Sequence, residues 1–223
     1  MLDHNLYMQQ LSDLLINCFG NRVLYIGLQG SYFRGEATEN SDIDPMVVLD
    51  RLSLEDLLKY KQIISNLQHP EKHCGFVCGC KELTQWNPLE ICHLLHSTKD
   101  IYGKLKPLVP SYTNEDVKNF AKLSVCNLYH EICHRYLHAS NDKNISKIVG
   151  SYKSVFFILQ NVYYLKTNEF ARTKKDLLDL TSGTDHTILS MSVALDDGAA
   201  FEFDELFSLL LNWCSDLLTR LDI

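Results

Sequence analysis

Two aspartates separated by one residue, Asp42 and Asp44, stand where the polar segment EATENS gives way to the apolar run PMVVL. If this run is a β-strand, both carboxylates project from the same face, because side chains alternate along a strand. Like charges held side by side are unfavourable unless a cation lies between them. Since Mg²⁺ prefers carboxylate and phosphate oxygen atoms, the pair is a candidate Mg²⁺ site.

A glycine–serine pair, Gly30 and Ser31, precedes the aspartates and follows another apolar run, VLYIGL. Gly30 lets the backbone come close to a ligand, and the Ser31 hydroxyl with nearby N–H groups can hold phosphate oxygen atoms. Arg34 either approaches the same phosphates or faces water. Two metal ions ~3.5–4 Å apart can clamp the attacking and leaving oxygen atoms of a displacement at phosphorus. The motif is therefore typical of phosphoryl-type transfer, in which the protein mainly positions groups and neutralises charge.

The elements that must position these residues alternate between strand and helix in the first half of the chain. Periodicity and turn residues predict two helices, four strands and one segment that is a loop or a short helix. The helices are 3–19 and 54–68, the strands are 23–28, 43–49, 75–80 and 89–95, and the undecided segment is 32–41. Alternation of this kind indicates an α/β domain.

The second half of the chain has a different pattern. Pro107 and Pro110 separate the two halves, and Thr113 with Asp116 forms a capping-box arrangement. The helices predicted beyond them are 114–139, 145–167, 171–181 and 202–221. We therefore predict an α+β fold, in which an α/β domain with a mixed sheet, residues 1–107, precedes a helical bundle, residues 108–223.

Composition limits the classes of function. Of the 223 residues, 46% are hydrophobic and 22% are charged, as in ordinary globular proteins. No apolar run approaches the ~20 residues needed to span a membrane, and the N-terminus lacks the pattern of a signal peptide, so we expect a cytoplasmic protein without a membrane partner. The eight cysteines are then expected to be free thiols. The net charge of −7 argues against nucleic acid as a partner, although it is compatible with a cationic small molecule.

The segment QGSYFRGEATENSDIDPMVVL resembles the signature of the polymerase-β-type nucleotidyltransferases, specifically their small bacterial branch. That branch includes the aminoglycoside and lincosamide adenylyltransferases and the minimal nucleotidyltransferases. The resemblance implies Mg²⁺ bound by Asp42 and Asp44, and a nucleoside triphosphate, ATP, as co-substrate. It also implies transfer of AMP to a hydroxyl of a small molecule such as an aminoglycoside-like antibiotic.

A third acid is expected from the same resemblance. In the streptomycin/spectinomycin adenylyltransferase type, an acid lies on a later strand about fourteen residues before a glycine. Here PLEICHLLHSTKDIYG places Glu90 thirteen residues before Gly103. If Leu89 and Ile91 pack into the core, alternation along the predicted strand turns Glu90 the other way, which makes it the candidate general base.

Two lysines of the helical half are candidates for phosphate contact. The resemblance implies this role for Lys153, which lies early in an apolar helix, and more weakly for Lys174. For both, a solvent-facing side chain is the alternative. Pro45 departs from the family pattern, which has an aliphatic residue there, and proline removes a backbone donor from a strand. A catalytically degenerate, nucleotide-binding relative therefore stays open, as does an antitoxin-type enzyme that adenylylates a protein.

A rival motif, HEICH at residues 130–134, formally matches the His-Glu-x-x-His helix of zinc peptidases. A zinc peptidase also needs a third ligand and an open position, and the sequence offers no clear third ligand. We therefore expect His130 and His134 to lie on a solvated or substrate-lining helix face. The cysteines at 74, 78 and 80 fit no common zinc spacing and are expected to be small core residues.

Overall fold

A computed structural model describes residues 2–221 of the chain. The chain divides into two compact units, Met1–Tyr112 and Thr113–Ile223, so the division falls a few residues after the predicted boundary. The first unit contains the sheet and the second unit is helical, which confirms the predicted α+β class.

The sheet of the first unit has four strands. They are β1 (Val23–Gln29), β2 (Asp44–Leu49), β3 (Phe76–Gly79) and β4 (Lys99–Tyr102). Their order is β3-β2-β1-β4. Strand β1 is antiparallel to both β2 and β4, whereas β2 is parallel to β3, so the sheet is mixed as predicted.

Five helices accompany this sheet: α1 (His4–Phe19), α2 (Gly30–Arg34), α3 (Leu54–Ser65), α4 (Cys80–Thr84) and α5 (Pro88–His96). The α1 helix begins at Asp3, whose side chain accepts hydrogen bonds from two backbone N–H groups, and it ends at Gly20, which has a positive φ of 56°. The α3 helix begins with a reciprocal capping box between Ser53 and Asp56. Local sequence signals therefore explain where both long helices start.

Apolar side chains cover both faces of β2. Ile43, Val47 and Leu49 pack with residues of α1 and α3 on one face. Met46 and Val48 pack with Leu83 and Leu105 on the other face. The two clusters make β2 a buried strand whose side chains are apolar on both faces. Its first residue, Asp44, is the exception.

The predicted strand at residues 89–95 is wrong. These residues form α5, and the fourth strand is instead Lys99–Tyr102. The α5 helix has a clear start, because the Asn87 side chain accepts from the backbone N–H of Leu89 and Pro88 occupies the first turn. A short apolar run such as LEICHLL fits a buried strand or a helix equally well, and here the cap decides for the helix.

The second unit is a bundle of five helices: α6 (Asn114–His138), α7 (Asn141–Thr167), α8 (Lys174–Leu180), α9 (Gly183–Asp196) and α10 (Phe203–Leu221). Its core contains Val125, Phe156, Leu189, Leu210 and Trp213. Helix α9 was not predicted from the sequence, because its serines and threonines obscure the apolar pattern.

Within residues 2–221, no helix has the length and apolar character that a membrane crossing requires.

Candidate active site

Asp44 and Gly30 meet where β1 ends and β2 begins. Gln29, the last residue of β1, is paired with Asp44, the first residue of β2. Gly30 follows with φ of 68°, in the left-handed region that favours glycine. A Cβ atom at Gly30 would overlap the Oδ2 atom of Asp44. The glycine therefore allows the Asp44 carboxylate to lie directly against the backbone of the turn.

The two aspartates stand on either side of a buried residue. Ile43 is fully buried among the side chains of the α1 and α3 face, whereas Asp44 is half-buried and Asp42 is exposed. Burial raises the pKa of the Asp44 carboxyl above its ordinary value, and the charge of Asp42 raises this pKa further. The two carboxylates therefore repel each other across a short distance, and a bound cation would relieve the repulsion.

The donor set fits Mg²⁺. Among residues 2–221, no three His, Cys, Asp or Glu side chains are grouped so as to hold a metal ion. Two carboxylates by themselves are nevertheless the usual protein contribution to a nucleotide-bound Mg²⁺, since phosphate oxygen atoms and water complete its shell. Asp42 and Asp44 are the residues that would hold the ion.

The predicted phosphate contacts Ser31 and Arg34 both lie on α2. Ser31 is half-buried and directly follows Gly30. The Arg34 side chain is only 15% exposed, and its Nε atom donates to Glu36 Oε2 at 2.7 Å. Its charge still reaches the aspartates, because the Arg34 guanidinium opposes the rise in the pKa of Asp44. Arg34 therefore does not simply face water, which was the alternative from the sequence.

Pro45 does not interrupt the strand. It pairs with Leu28 in a β1–β2 register that runs without a break from Tyr25 to Gln29. Gly75 makes room for it, because a Cβ atom there would lie 2.7 Å from the Pro45 carbonyl oxygen and 3.0 Å from Pro45 Cγ. The proline is therefore accommodated by a neighbouring glycine, and Asp44 keeps its place at the start of β2.

Glu90 does not lie on a strand. It occupies the first turn of α5, is exposed, and its Oε2 atom accepts from Trp86 Nε1 at 2.6 Å. The Trp86 ring packs edge-on against Phe76 of β3, with ring centroids 5.3 Å apart. The alternation between Leu89 and Ile91 that pointed Glu90 toward the aspartates does not apply to a helix. The role of Glu90 as general base stays a prediction that has lost this support.

Cys74 is a site residue that the sequence did not reveal. Strands β2 and β3 are parallel with Met46 opposite Phe76, and Ile43 forms a bridge with His73. This register places Cys74 level with Asp44, on the same face of the sheet. Cys74 is exposed, so the expectation that it is a small core residue is wrong, whereas Cys78 is buried. Slight desolvation raises the pKa of the Cys74 thiol, and the carboxylates of Asp44 and Asp42 raise this pKa further. The neighbouring strand thus places a thiol, and not a carboxylate, level with Asp44.

His73 anchors this edge of the sheet to two helices. Its Nδ1 atom shares a hydrogen bond of 2.9 Å with the Tyr7 hydroxyl, and its Nε2 atom shares one of 3.1 Å with the Tyr60 hydroxyl. Burial lowers the pKa of His73 to about 4, so the ring is neutral at pH 7. Because His73 pairs with Ile43, the network holds the segment between Asp42 and Asp44 in place.

The two candidate lysines lie in the second unit. Lys153 is exposed on α7. Lys174, at the start of α8, forms an ion pair with Asp196 and has a side chain that is 18% exposed. The ammonium group of Lys174 therefore already has an acidic partner, whereas that of Lys153 extends into solvent.

The HEICH residues lie on the outer face of α6. His130 and His134 are exposed, and Glu131 forms an ion pair with Arg135. The opposite face of the helix is buried through Val117, Ala121, Val125, Leu128 and Ile132. The histidines are thus on the solvated face that the sequence pattern predicted.

Comparison with known proteins agrees with this geometry. Residues 14–99 match the family model described as a nucleotidyltransferase domain, and this match includes the Gly30–Asp44 turn. The chain is similar to the crystal structure of spectinomycin adenyltransferase AAD(9) from Enterococcus faecialis with ATP and spectinomycin. The identity is 14%, the match covers 96% of this chain and 99% of that one, and the TM-score is 0.59.

A second solved structure, a toxin–antitoxin with AMP-PNP, is 19% identical over 61% of this chain and 94% of that one. Its TM-score of 0.34 is too low to carry an argument. No curated protein matches the sequence significantly. Residues 14–99 are thus similar to nucleotidyltransferase domains, and the fold of the chain agrees with this similarity.

Proposed function

We propose that this chain, an enzyme of the nucleotidyltransferase kind, transfers AMP from ATP to a hydroxyl group of a small molecule and releases pyrophosphate. The observation that carries the proposal is the packing of the Asp44 carboxylate against Gly30, with Asp42 two residues before Asp44. This arrangement keeps two carboxylates close together at a turn that can receive a phosphate chain. The repulsion between them favours a bound cation.

Asp42 and Asp44 would hold Mg²⁺ together with the triphosphate. When bound, the ion neutralises charge on the phosphates and orients them for in-line attack. Gly30 and Ser31 would position phosphate oxygen atoms through the backbone N–H groups and the Ser31 hydroxyl. Arg34 forms an ion pair with Glu36, and its charge acts on Asp44, which supports it as a proposed phosphate contact.

The acceptor hydroxyl needs a base, and Glu90 remains our proposal for it. Lys153 remains a proposed phosphate contact because its side chain is exposed, whereas the ion pair of Lys174 with Asp196 makes its role weaker. The similar adenyltransferase was solved with ATP and spectinomycin, which supports a nucleotide and a small-molecule acceptor. The net charge of −7 suits a cationic acceptor such as an aminoglycoside. An ATP-using enzyme with free cysteines would act in the cytoplasm.

A second candidate function, nucleotide binding without transfer, is favoured by Cys74. Because the thiol lies level with Asp44, strand β3 provides no carboxylate at that position. A protein of this kind would bind Mg·ATP and release no pyrophosphate with any acceptor. An acceptor that is itself a protein, as in antitoxin-type enzymes, would show up as a mass increase of that protein.

The deciding experiment measures pyrophosphate release from ATP and Mg²⁺ across a panel of aminoglycosides, spectinomycin, lincosamides and candidate proteins. We expect release with at least one acceptor, and none from the Asp42→Asn/Asp44→Asn double variant. The double variant should also lose the Mg²⁺-dependent stabilisation by ATP in a thermal-shift assay. Glu39→Gln is the matched control, since it removes one negative charge from the same loop, where Glu39 is exposed.

The outcomes separate the candidates. Stabilisation of the wild type by Mg·ATP without release of pyrophosphate would favour the binding function. Equal stabilisation of the wild type and the double variant would place the nucleotide elsewhere and contradict the proposed site.

A further inference from the structure

Three histidines form a row on the exposed face of α6, in the second unit, whereas Asp42 and Asp44 belong to the first unit. His130, His134 and His138 are spaced four residues apart, so they lie above one another on one side of the helix. All three are exposed, and Leu137 beside them is 73% exposed, so solvent reaches this face freely. Neighbouring rings contact each other, with centroids 6.0 Å apart for His130 and His134 and 4.8 Å apart for His134 and His138.

The spacing of the second pair matches that of two imidazoles that share one metal ion. An imidazole nitrogen binds Zn²⁺ at about 2.0–2.1 Å, which places the ring centre roughly 3.2 Å from the ion, so two rings at angles of about 90–110° have centres roughly 4.5–5.2 Å apart. The separation of 4.8 Å between His134 and His138 falls within this range. The separation of 6.0 Å between His130 and His134 lies outside it, so that pair must rotate before it can share an ion.

We propose that His134 and His138 chelate a divalent first-row transition metal, of the imidazole-seeking class of Zn²⁺, Ni²⁺ and Cu²⁺. Two imidazoles come from the protein and water fills the remaining positions, because no third ligating side chain joins them within residues 2–221. His130 provides a second, weaker pairing with His134. The site is exchangeable and separate from the carboxylates of the first unit, which take a hard, oxygen-seeking ion.

The contacts of Glu131 and Arg135 argue against a peptidase centre at this row of histidines. In the His-Glu-x-x-His helix of zinc peptidases, the glutamate acts as general base beside the metal. Here Glu131 forms an ion pair with Arg135, whose other terminal nitrogen donates to Ser151 at 2.6 Å. Arg135 therefore holds the glutamate, and its own charge is neutralised close to the imidazoles. The closest pair of rings is also His134 and His138 rather than the two histidines of the motif.

The test is a calorimetric titration of the full, tag-free, chelator-treated chain with ZnCl₂, NiCl₂ or CuCl₂, and with MgCl₂ for comparison. Loss of a partner that merely supports a metal ligand costs about 10–100-fold in affinity, so loss of a direct ligand should cost at least about 10-fold. His134→Ala should therefore weaken binding by at least about 10-fold, because His134 belongs to both pairs. His138→Ala should also weaken it, whereas His130→Ala should weaken it least, because the His130 ring lies 6.0 Å from that of His134.

His186→Ala is the matched control. His186 is another exposed helical histidine, on α9, whose ring contacts Ser190 rather than a second imidazole. The control should leave the affinity unchanged, and electron paramagnetic resonance of bound Cu²⁺ should show two nitrogen donors that drop to one in His134→Ala, which breaks both pairs. Equal affinity in the wild type and in His134→Ala would overturn the proposal, as would an equal loss in His186→Ala. Circular dichroism of each variant establishes that the helix is intact.

Discussion

The Oδ2 atom of Asp44 lies where a Cβ atom of residue 30 would be, so the carboxylate and the turn backbone fit together only because residue 30 is glycine. The contact joins the end of β1 to the start of β2, and it brings the half-buried acid to the first residue of the glycine–serine turn. Any side chain at position 30 must push Asp44 away or distort the turn.

Gly30→Ala should therefore abolish Mg²⁺-dependent ATP binding. The added methyl group displaces Asp44, and the positive φ by itself costs about 1–2 kcal/mol for a residue with a Cβ atom. Gly35→Ala separates the two effects, since Gly35 also has a positive φ of 77° but a Cβ atom there meets nothing within 4 Å. We expect a loss of stability from the positive φ in both variants, at least as large in Gly30→Ala, and a loss of ATP binding, measured by calorimetry, in Gly30→Ala alone. Equal ATP binding by the two variants would show that the Gly30–Asp44 contact is dispensable.

Glu90→Gln should lower turnover at least ~10²-fold with little change in ATP affinity, if Glu90 is the general base. The substitution keeps the size of the side chain and removes its basicity. Trp86→Phe is the control, because it removes the indole N–H that donates to Glu90 but leaves the carboxylate. Single-turnover rates with a working acceptor are the measurement. Near-full turnover by Glu90→Gln would contradict the assignment of Glu90 as general base and leave Asp42 and Asp44 as the proposed acids of the site.

Cys74 should react more slowly with iodoacetamide at pH 8 than Cys126, although both are exposed, when metal is removed by chelator. The thiolate is the reactive form, and slight desolvation together with the charges of Asp44 and Asp42 raises the pKa of Cys74. The Asp42→Asn/Asp44→Asn variant removes these charges, so its Cys74 should react faster at the same pH while Cys126 is unchanged. Peptide mass spectrometry gives both rates. An unchanged Cys74 rate in the double variant would mean that the thiol does not face the aspartates.

His73 should make the protein sensitive to mild acid. Its pKa of about 4 in the folded chain lies below the ordinary value of 6.5, so its neutral form is favoured by folding. The stability from this residue is complete above pH 6.5 and is lost as the pH falls from 6.5 toward 4, where the unfolded chain binds a proton that the folded chain does not. One such proton changes the free energy of unfolding by at most about 1.4 kcal/mol per pH unit, and by less here because the ring is only partly buried.

His73→Gln tests this dependence through urea unfolding at pH 7, 6, 5 and 4.5. The variant should be less stable than the wild type at pH 7, since it loses the hydrogen bonds with Tyr7 and Tyr60. Its stability should then fall less steeply with acid. His69→Gln is the control, because His69 is exposed. Parallel pH profiles for the wild type and His73→Gln would contradict the assigned role.

Local signals in the sequence were sufficient to predict much of this protein. Strands β1 and β2, the helices α1 and α3, and the long helices α6, α7 and α10 follow from periodicity, caps and glycine positions, which act over a few residues. The glycine–serine turn and the two aspartates were predicted as one site for the same reason, since alternation along a strand and the freedom of glycine are local properties. Helix α9 and the apolar run at 89–95 were missed or misassigned because their patterns fit more than one structure.

Tertiary structure alone decided which residues accompany the aspartates. Cys74 lies level with Asp44 because β3 joins β2 in parallel with a particular register, and a register between strands about thirty residues apart leaves no mark on either segment. The Cβ atom that Gly30 lacks would collide with Asp44 for the same reason, since the two residues meet only when β1 and β2 are paired. The sequence by itself therefore determined which residue types form the carboxylate pair and its turn. Pairing between distant strands determined that the Cys74 thiol, rather than Glu90, lies beside Asp44 on the sheet.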